Sequence, residues 1–228
     1  MRLFVLSDTH GGPLPPIPDG EDVWILHAGD VYEGRAPVPP RGTTQTILPV
    51  PPPKRLLLVR GNHDLQDPEG IFSAERDATG RLIEIAPGLF VAGLGWCGGR
   101  WYDTPREADL EPLLHGLGRQ VRRRLSSHDR LILLTHYPPR LGLPGDPEEV
   151  GRIFTLNDPA DVSGTYLCIR QWIEEFRPAL VVIGHIHEWA GRSCHLLHTG
   201  DHTLCLAPGS TGMLVDLTHL CRIARSLD

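Results

Sequence analysis

The sequence predicts a mixed α/β fold whose strands are covered on both faces, and three observations lead there. Apolar runs of strand length recur along the chain, most of them are continuous rather than alternating, and two longer segments between them carry helical spacing instead. The 228 residues are enough to bury one substantial core, and a 40% hydrophobic and 22% charged composition is that of an ordinary globular chain, not a disordered one. One domain over residues 1–228 is expected.

In chain order, the strand-length runs are RLFVLS (2–7), DVWILHA (22–28), RLLLVR (55–60), RLILLT (130–135) and ALVVIG (179–184). RLIEIAPGLFVAGLGW reads as a hairpin turning at Pro87-Gly88, and AGRSCHLLHTGDHTLCLAPGS as another turning near Thr199–Asp201. MLVDL (213–217) closes the set as a last strand. In TPREADLEPLLHGLGRQVRRRLSS the apolar residues Leu110, Leu113, Leu114, Leu117, Val121 and Leu125 fall on one helical face, with Thr104 as expected cap and Pro105 in the first turn. SGTYLCIRQWIEEFRP is the second helix, stopped by Pro178. Arg122, Arg123 and Arg124 suit a helix C-terminus, where the macrodipole favours cations. The stretches 35–53 and 137–164 read as loops, the first because of its prolines, the second a long insertion after a strand tip and a candidate for substrate choice.

A net charge of −6 argues against a general nucleic-acid or membrane-surface binder. Five scattered cysteines with no CxxC pair fit a reduced intracellular protein better than a disulfide scaffold or a zinc knuckle. The apolar run after Met1-Arg2 is too short for a signal peptide and no run is long enough to span a bilayer, so a cytoplasmic location without a membrane partner is expected.

The informative residues follow the buried runs. Asp8-Thr9-His10 follows the first, Gly29-Asp30 the second, Gly61-Asn62-His63-Asp64 the third, His136 the fourth, and Gly184-His185-Ile186-His187 the fifth. In α/β sheets ligands gather beyond the carboxyl ends of strands, so five tips ending in Asp, Asn and His should converge on one site. D-x-H and H-x-H have period-two spacing, which puts both side chains on one face of an extended chain. Carboxylate oxygens, an amide oxygen and imidazoles together suit Mn, Fe, Zn, Co or Ni; the absence of cysteine argues against structural zinc, and the histidines against calcium. The seven residues Asp8, His10, Asp30, Asn62, His136, His185 and His187 are too many for one tetrahedral ion and suit two sharing a bridge. Two divalent ions less Asp8, Asp30 and a bridging hydroxide leave positive charge, as an anionic phosphate ester requires. Such a pair, about 3.5–4 Å apart, suits in-line phosphoryl displacement.

The ordered set SDTH, AGD, GNHD, THYPP and GHIHE resembles the calcineurin-like metallophosphoesterase superfamily, in the form of its compact bacterial and archaeal phosphodiesterases. The APGS at 207–210 is similar to the family's late NPGS turn, with Ala207 in place of asparagine. The resemblance implies a β-sandwich flanked by helices on both outer faces. It implies Asp8, His10 and His187 on one metal, Asn62, His136 and His185 on the other, and Asp30 bridging. Two divalent ions, manganese foremost, would supply a bridging hydroxide as nucleophile. His63 would stabilise the transition state and protonate the leaving oxygen, and Asp64 would orient His63 through a hydrogen bond. The implied substrate is a small or nucleotide-like phosphate ester, a diester first, with no obligatory nucleic-acid partner; no oligomeric state is implied.

Two departures touch the cleft rim. GGPLPPIPDG stands where the family usually has a helix, and the proline-rich loop follows Asp30. Asp30 is followed by VYEGR and not by the G-D-x-V-D-R-G run of serine/threonine phosphatases, which sets a phosphoprotein substrate second. Phosphomonoester hydrolysis and a non-catalytic metal- or nucleotide-binding scaffold are the other readings, the scaffold disfavoured by the intact ligand set. His195, His198 and His202 read as a solvated strand surface, His115 and His128 as helix-surface residues, and His27 as packing beside the site. Trp96, Trp101 and Tyr102 are candidates for the cleft wall or the core.

Overall fold

In the computed structural model, residues 1–12, 14–17, 22–32, 55–67, 69–98, 103–143, 150, 164–198 and 201–217 are described. The loop 35–53, Trp101, Tyr102 and most of the insertion 137–164 lie outside them.

Among the described residues, ten strands form two sheets. The first has the order β10-β1-β2-β3, from β1 (Arg2–Leu6), β2 (Val23–His27), β3 (Leu56–Leu58) and β10 (Met213–Asp216). The second runs β4-β5-β6-β7-β9-β8, from β4 (Leu82–Ala86), β5 (Leu89–Leu94), β6 (Arg130–Thr135), β7 (Leu180–Val182), β8 (Arg192–His198) and β9 (Asp201–Ala207). β1, β2 and β3 are parallel, as are β5, β6, β7 and β9, whereas the edge strands β4, β8 and β10 pair antiparallel. The continuous apolar runs are thus the parallel strands. β8, at an edge, alternates exposed and buried residues along most of its length.

Period-two alternation within those apolar runs assigns each side chain to a layer. Leu3, Val5, Leu26 and Leu57 face Val91, Ile132, Leu134, Leu180 and Val182 between the sheets. Phe90, Leu131, Leu133, Val181 and Leu196 point the other way, against α1 (Glu107–Arg124) and α2 (Leu167–Phe176). The outer face of the first sheet, with Phe4, Leu6, Ile25 and Leu58, is covered by Val31, Tyr32, Ile71, Phe72, Leu14 and Ile17. The expected β-sandwich is present; among the described residues, helices pack on one outer face only. At the other, Pro15 and Pro16 stand in a segment without helix, each unable to donate to a helical ladder.

At the start of α1, neither Thr104 as cap nor Pro105 in the first turn is found. α1 begins two residues past Pro105, and Asp109 caps it by accepting the Arg106 backbone N–H at 2.9 Å, so Thr104 is not the cap. Glu107 then accepts the backbone N–H groups of Leu167 and Cys168, tying α2's first turn to α1. α2 stops at Arg177, in a left-handed conformation one residue before Pro178. The arginine cluster does more than face the dipole: Arg122 pairs with Glu175 on α2, and Arg124 donates to the Leu82 carbonyl on β4 at 2.6 Å. No helix among the described residues is long and apolar enough to cross a membrane.

Candidate metal centre

Every candidate tip arrives at one place. Asp8, Asp30, Asn62 and His63 come from the carboxyl ends of β1, β2 and β3, and His136, His185 and His187 from those of β6 and β7. The site therefore lies where the two sheets meet at one end of the sandwich. A separate cavity of about 360 Å³ opens at the other pole, where Arg130 begins β6, Ala179 precedes β7, and His202 and His128 line the wall. His128 thus lies beyond α1, in the turn before β6. The rings of His195 and His202 are 5.0 Å apart on the β8–β9 hairpin, and neither they nor His198 join a metal-ligand cluster among the described residues.

The turns that present the ligands are strained. Of the five described non-glycine residues with positive φ, four are Asp8, His10, Asp30 and His185, at 54°, 47°, 56° and 72°. Strain of this kind persists only where the surroundings over-determine it. Here the clamps are backbone bonds between tips: Asp8 N–H to Gly29 O at 3.0 Å, His10 N–H to Asp30 O at 3.0 Å, and Gly184 N–H to His136 O at 3.1 Å. Glycine is required at 61 because a Cβ there would lie 2.2 Å from Asp30 Oδ1 and 2.8 Å from the His136 ring. The APGS turn also contributes, its Gly209 carbonyl accepting the Ser7 N–H at the end of β1.

Potential ligand atoms cluster in overlapping groups, Asp8–His10–His187, Asp8–Asp30–His136 and His10–Asp30–His63, all within 4.8 Å of one another inside each group. His10 Nε2 and His187 Nε2 stand 3.0 Å apart, and His187 Nε2 is 3.6 Å from Asp8 Oδ1. Across Asp30, Asn62 Oδ1 lies 3.0 Å from His136 Nε2 and 3.1 Å from His185 Nδ1. Asp30 sits between the two sets, its Oδ1 accepting the His63 N–H at 2.9 Å and its Oδ2 3.4 Å from His136 Nε2.

His136 tests whether this donor set fits a cation. Its Nδ1 is 2.9 Å from the Ala28 carbonyl, which can only accept, so Nδ1 carries the proton. Burial pushes the imidazole's pKa down, keeping the ring neutral. Nε2 then presents a lone pair to an amide oxygen and a carboxylate oxygen, and a cation among the three would relieve their repulsion. The set fits a divalent ion.

Burial drives the charges as well. It pushes Asp30 up to about 7, against the His63 amide, and lowers His185 to about 3. Asp8 is opposed by burial but held below the usual carboxylate range by His187, and His187 is raised in return. A ligating carboxyl must be deprotonated, so if Asp30 is a ligand, metal has to displace its proton below about pH 7. Apparent Mn²⁺ affinity is therefore expected to fall by up to about 10-fold per pH unit below pH 7 and to level off above pH 8, with proton release on binding at pH 6. Calorimetric titration in buffers of different ionisation enthalpy reads both; an affinity flat from pH 5.5 to 8 contradicts the assignment of Asp30.

Asp64 was expected to orient the His63 ring; the partners seen are backbone amides. Its carboxylate is fully buried and accepts N–H groups from Asp30 at 2.8 Å, Gly61 at 2.9 Å and Tyr32 at 3.0 Å, stitching the Asp30 and Asn62 turns together. Residues not singled out from sequence also shape the centre. Tyr137 is fully buried, its ring 4.9 Å from His136 and 5.4 Å from His185, its hydroxyl donating to Trp96 O at 2.7 Å. Arg60 braces the Asn62 turn by donating to Asp64 O, with its guanidinium over Phe72 and its Nε on Asp77. An aromatic after His136 and an arginine before Gly61 were the available signals, but neither discloses its partner.

Residues 1–189 match a family model described as calcineurin-like phosphoesterase. The chain belongs to that family. Membership makes this calcineurin-like protein a phosphoester hydrolase with a metal-binding centre. Its fold is shared with the protein TT1561 of Thermus thermophilus, at 14% identity and TM-score 0.54 over 96% of this chain and 95% of that one. It is also shared with the phosphopantetheinyl hydrolase of Mycobacterium tuberculosis, at 16% identity and TM-score 0.56 over 90% and 89%. Among curated proteins, no sequence matches closely enough to establish a relative.

Proposed function

We propose that this calcineurin-like phosphoesterase uses two divalent ions, manganese foremost, to hydrolyse a small or nucleotide-like phosphodiester. The observation that carries this reading is the facing of lone pairs at Asn62, His136 and Asp30, beside a second cluster at Asp8, His10 and His187. When bound, such ions supply Lewis acidity and an activated water. The chain's residues do the rest. Asp8, His10 and His187 would hold one ion, Asn62, His136 and His185 the other, and Asp30 would serve both. His63, its backbone fixed to Asp30, presents its ring beside that of His10 to protonate the leaving oxygen. Asn62 is uncharged, so the site keeps a net positive field for an anionic ester.

The test compares bis-p-nitrophenyl phosphate with p-nitrophenyl phosphate on the manganese-loaded protein, with Asn62→Ala as control. The expected result is preference for the diester and loss of activity in the variant. A preferred monoester turns the reading to a phosphatase, and bound metal without turnover of either turns it to a binding protein.

A further inference from the structure

Thr9 stands between two ligands and points away from both. Asp8 and His10 have positive φ; the side chain between them turns inward to the end of β2, where Thr9 Oγ1 lies 3.0 Å from His27 Nε2 and 3.4 Å from the Val31 carbonyl. That carbonyl can only accept, so it takes the hydroxyl proton, and Oγ1 accepts from His27 Nε2–H. His27 is 1% exposed and its Nδ1 has no hydrogen-bond partner among the described residues, as this tautomer requires. A buried lone pair without a partner is a cost that leucine at the same strand end would avoid. What the imidazole provides instead is one donor, aimed at the residue between two strained ligands.

We propose that His27 and Thr9 are a positioning pair that fixes the Asp8–His10 turn and so sets the affinity of one of the two metal positions. This rests on the two-ion reading above. The backbone bonds of Asp8, His10 and Gly11 tie the turn to the loop of Asp30 and Val31, both buried. The Thr9 side chain is the tie that runs inward, to a residue held in register with Leu6 in the parallel β1–β2 pair. Asn62, His136 and His185 follow β3, β6 and β7 and, among the described residues, do not bond the Thr9 side chain. Loss of the pair should therefore weaken one position selectively, whereas a general packing defect would weaken both.

The experiment is calorimetric titration of the metal-free full chain with Mn²⁺ at pH 8, read beside thermal melting of the same samples. The starting protein is expected to bind two ions. His27→Leu and Thr9→Val should each weaken one binding step by about 10-fold or more and leave the other within about two-fold. His27→Gln, whose amide reaches the position of Nε2, should restore the weakened step. Thr9→Val is nearly isosteric and carries the test if His27→Leu fails to fold. Two ions bound with both steps unchanged, or both weakened together, overturns the positioning role and leaves the two-ion reading intact. Fewer than two ions bound by the starting protein overturns that reading and the inference with it.

Discussion

On the proposed two-ion reading, Asp30→Asn is expected to lower kcat/KM by about 10³-fold or more while leaving the protein folded, because several kcal/mol of metal-derived stabilisation would depend on one bridging carboxylate. The substitution preserves shape and keeps Oδ1 as acceptor for the His63 N–H. What it removes is the negative charge shared by two ligand clusters. The metal-free protein should respond in the opposite sense. Asp30 titrates near 7 in the fold against 3.8 ordinarily, chiefly through burial, so its contribution to stability is complete below pH 3.8 and lost as pH rises through 7. Asparagine escapes that loss. Thermal melting of metal-free Asp30→Asn should therefore occur at a higher temperature than the unsubstituted protein at pH 8, with the difference shrinking toward pH 4. Activity lost together with stability at every pH would assign Asp30 to the fold instead of the metals.

The strand tips were readable in the sequence because the same physics writes both signals. A strand covered on two faces must be apolar throughout, so LFVL and LILL mark themselves, and polar residues appear where the chain leaves the core. Their convergence was an inference from the α/β rule, and the structure adds that the tips come from two sheets: Asn62 beyond β3 meets His136 beyond β6 because the sheets pack face to face. Partners of buried polar groups were not readable. Asp64 announced itself as a carboxylate that needed pairing, yet nothing in GNHD distinguishes an imidazole from three backbone amides as its partner. Thr104 failed as a cap for a similar reason: it had the right chemistry, but the carboxylate of Asp109 met the Arg106 amide from three residues ahead. The proline-rich stretch after His10 was legible as a departure, and among the described residues the outer face of β1 and β2 is still covered, by Leu14, Ile17, Tyr32 and Phe72.

His63 carries the second large effect, and its size should depend on the leaving group. Its Nε2 lies 3.8 Å from Asp30 Oδ2, its ring 4.7 Å from that of His10, and its side chain is 16% exposed, enough to meet an incoming ester. An alkoxide must be protonated as it departs, whereas nitrophenolate is stable enough to leave without help. His63→Ala is therefore expected to lose about 10²–10⁴-fold on an alkyl phosphodiester and under about 10-fold on bis-p-nitrophenyl phosphate. The same geometry offers a competing role, because His63 also falls within a ligand-sized cluster with His10 and Asp30. Manganese content separates the two. A general acid can be removed without loss of metal, so His63→Ala should still hold two ions per chain. If the ions leave with the imidazole and both esters lose rate equally, His63 is a ligand, and the proton for the departing oxygen has to come from elsewhere.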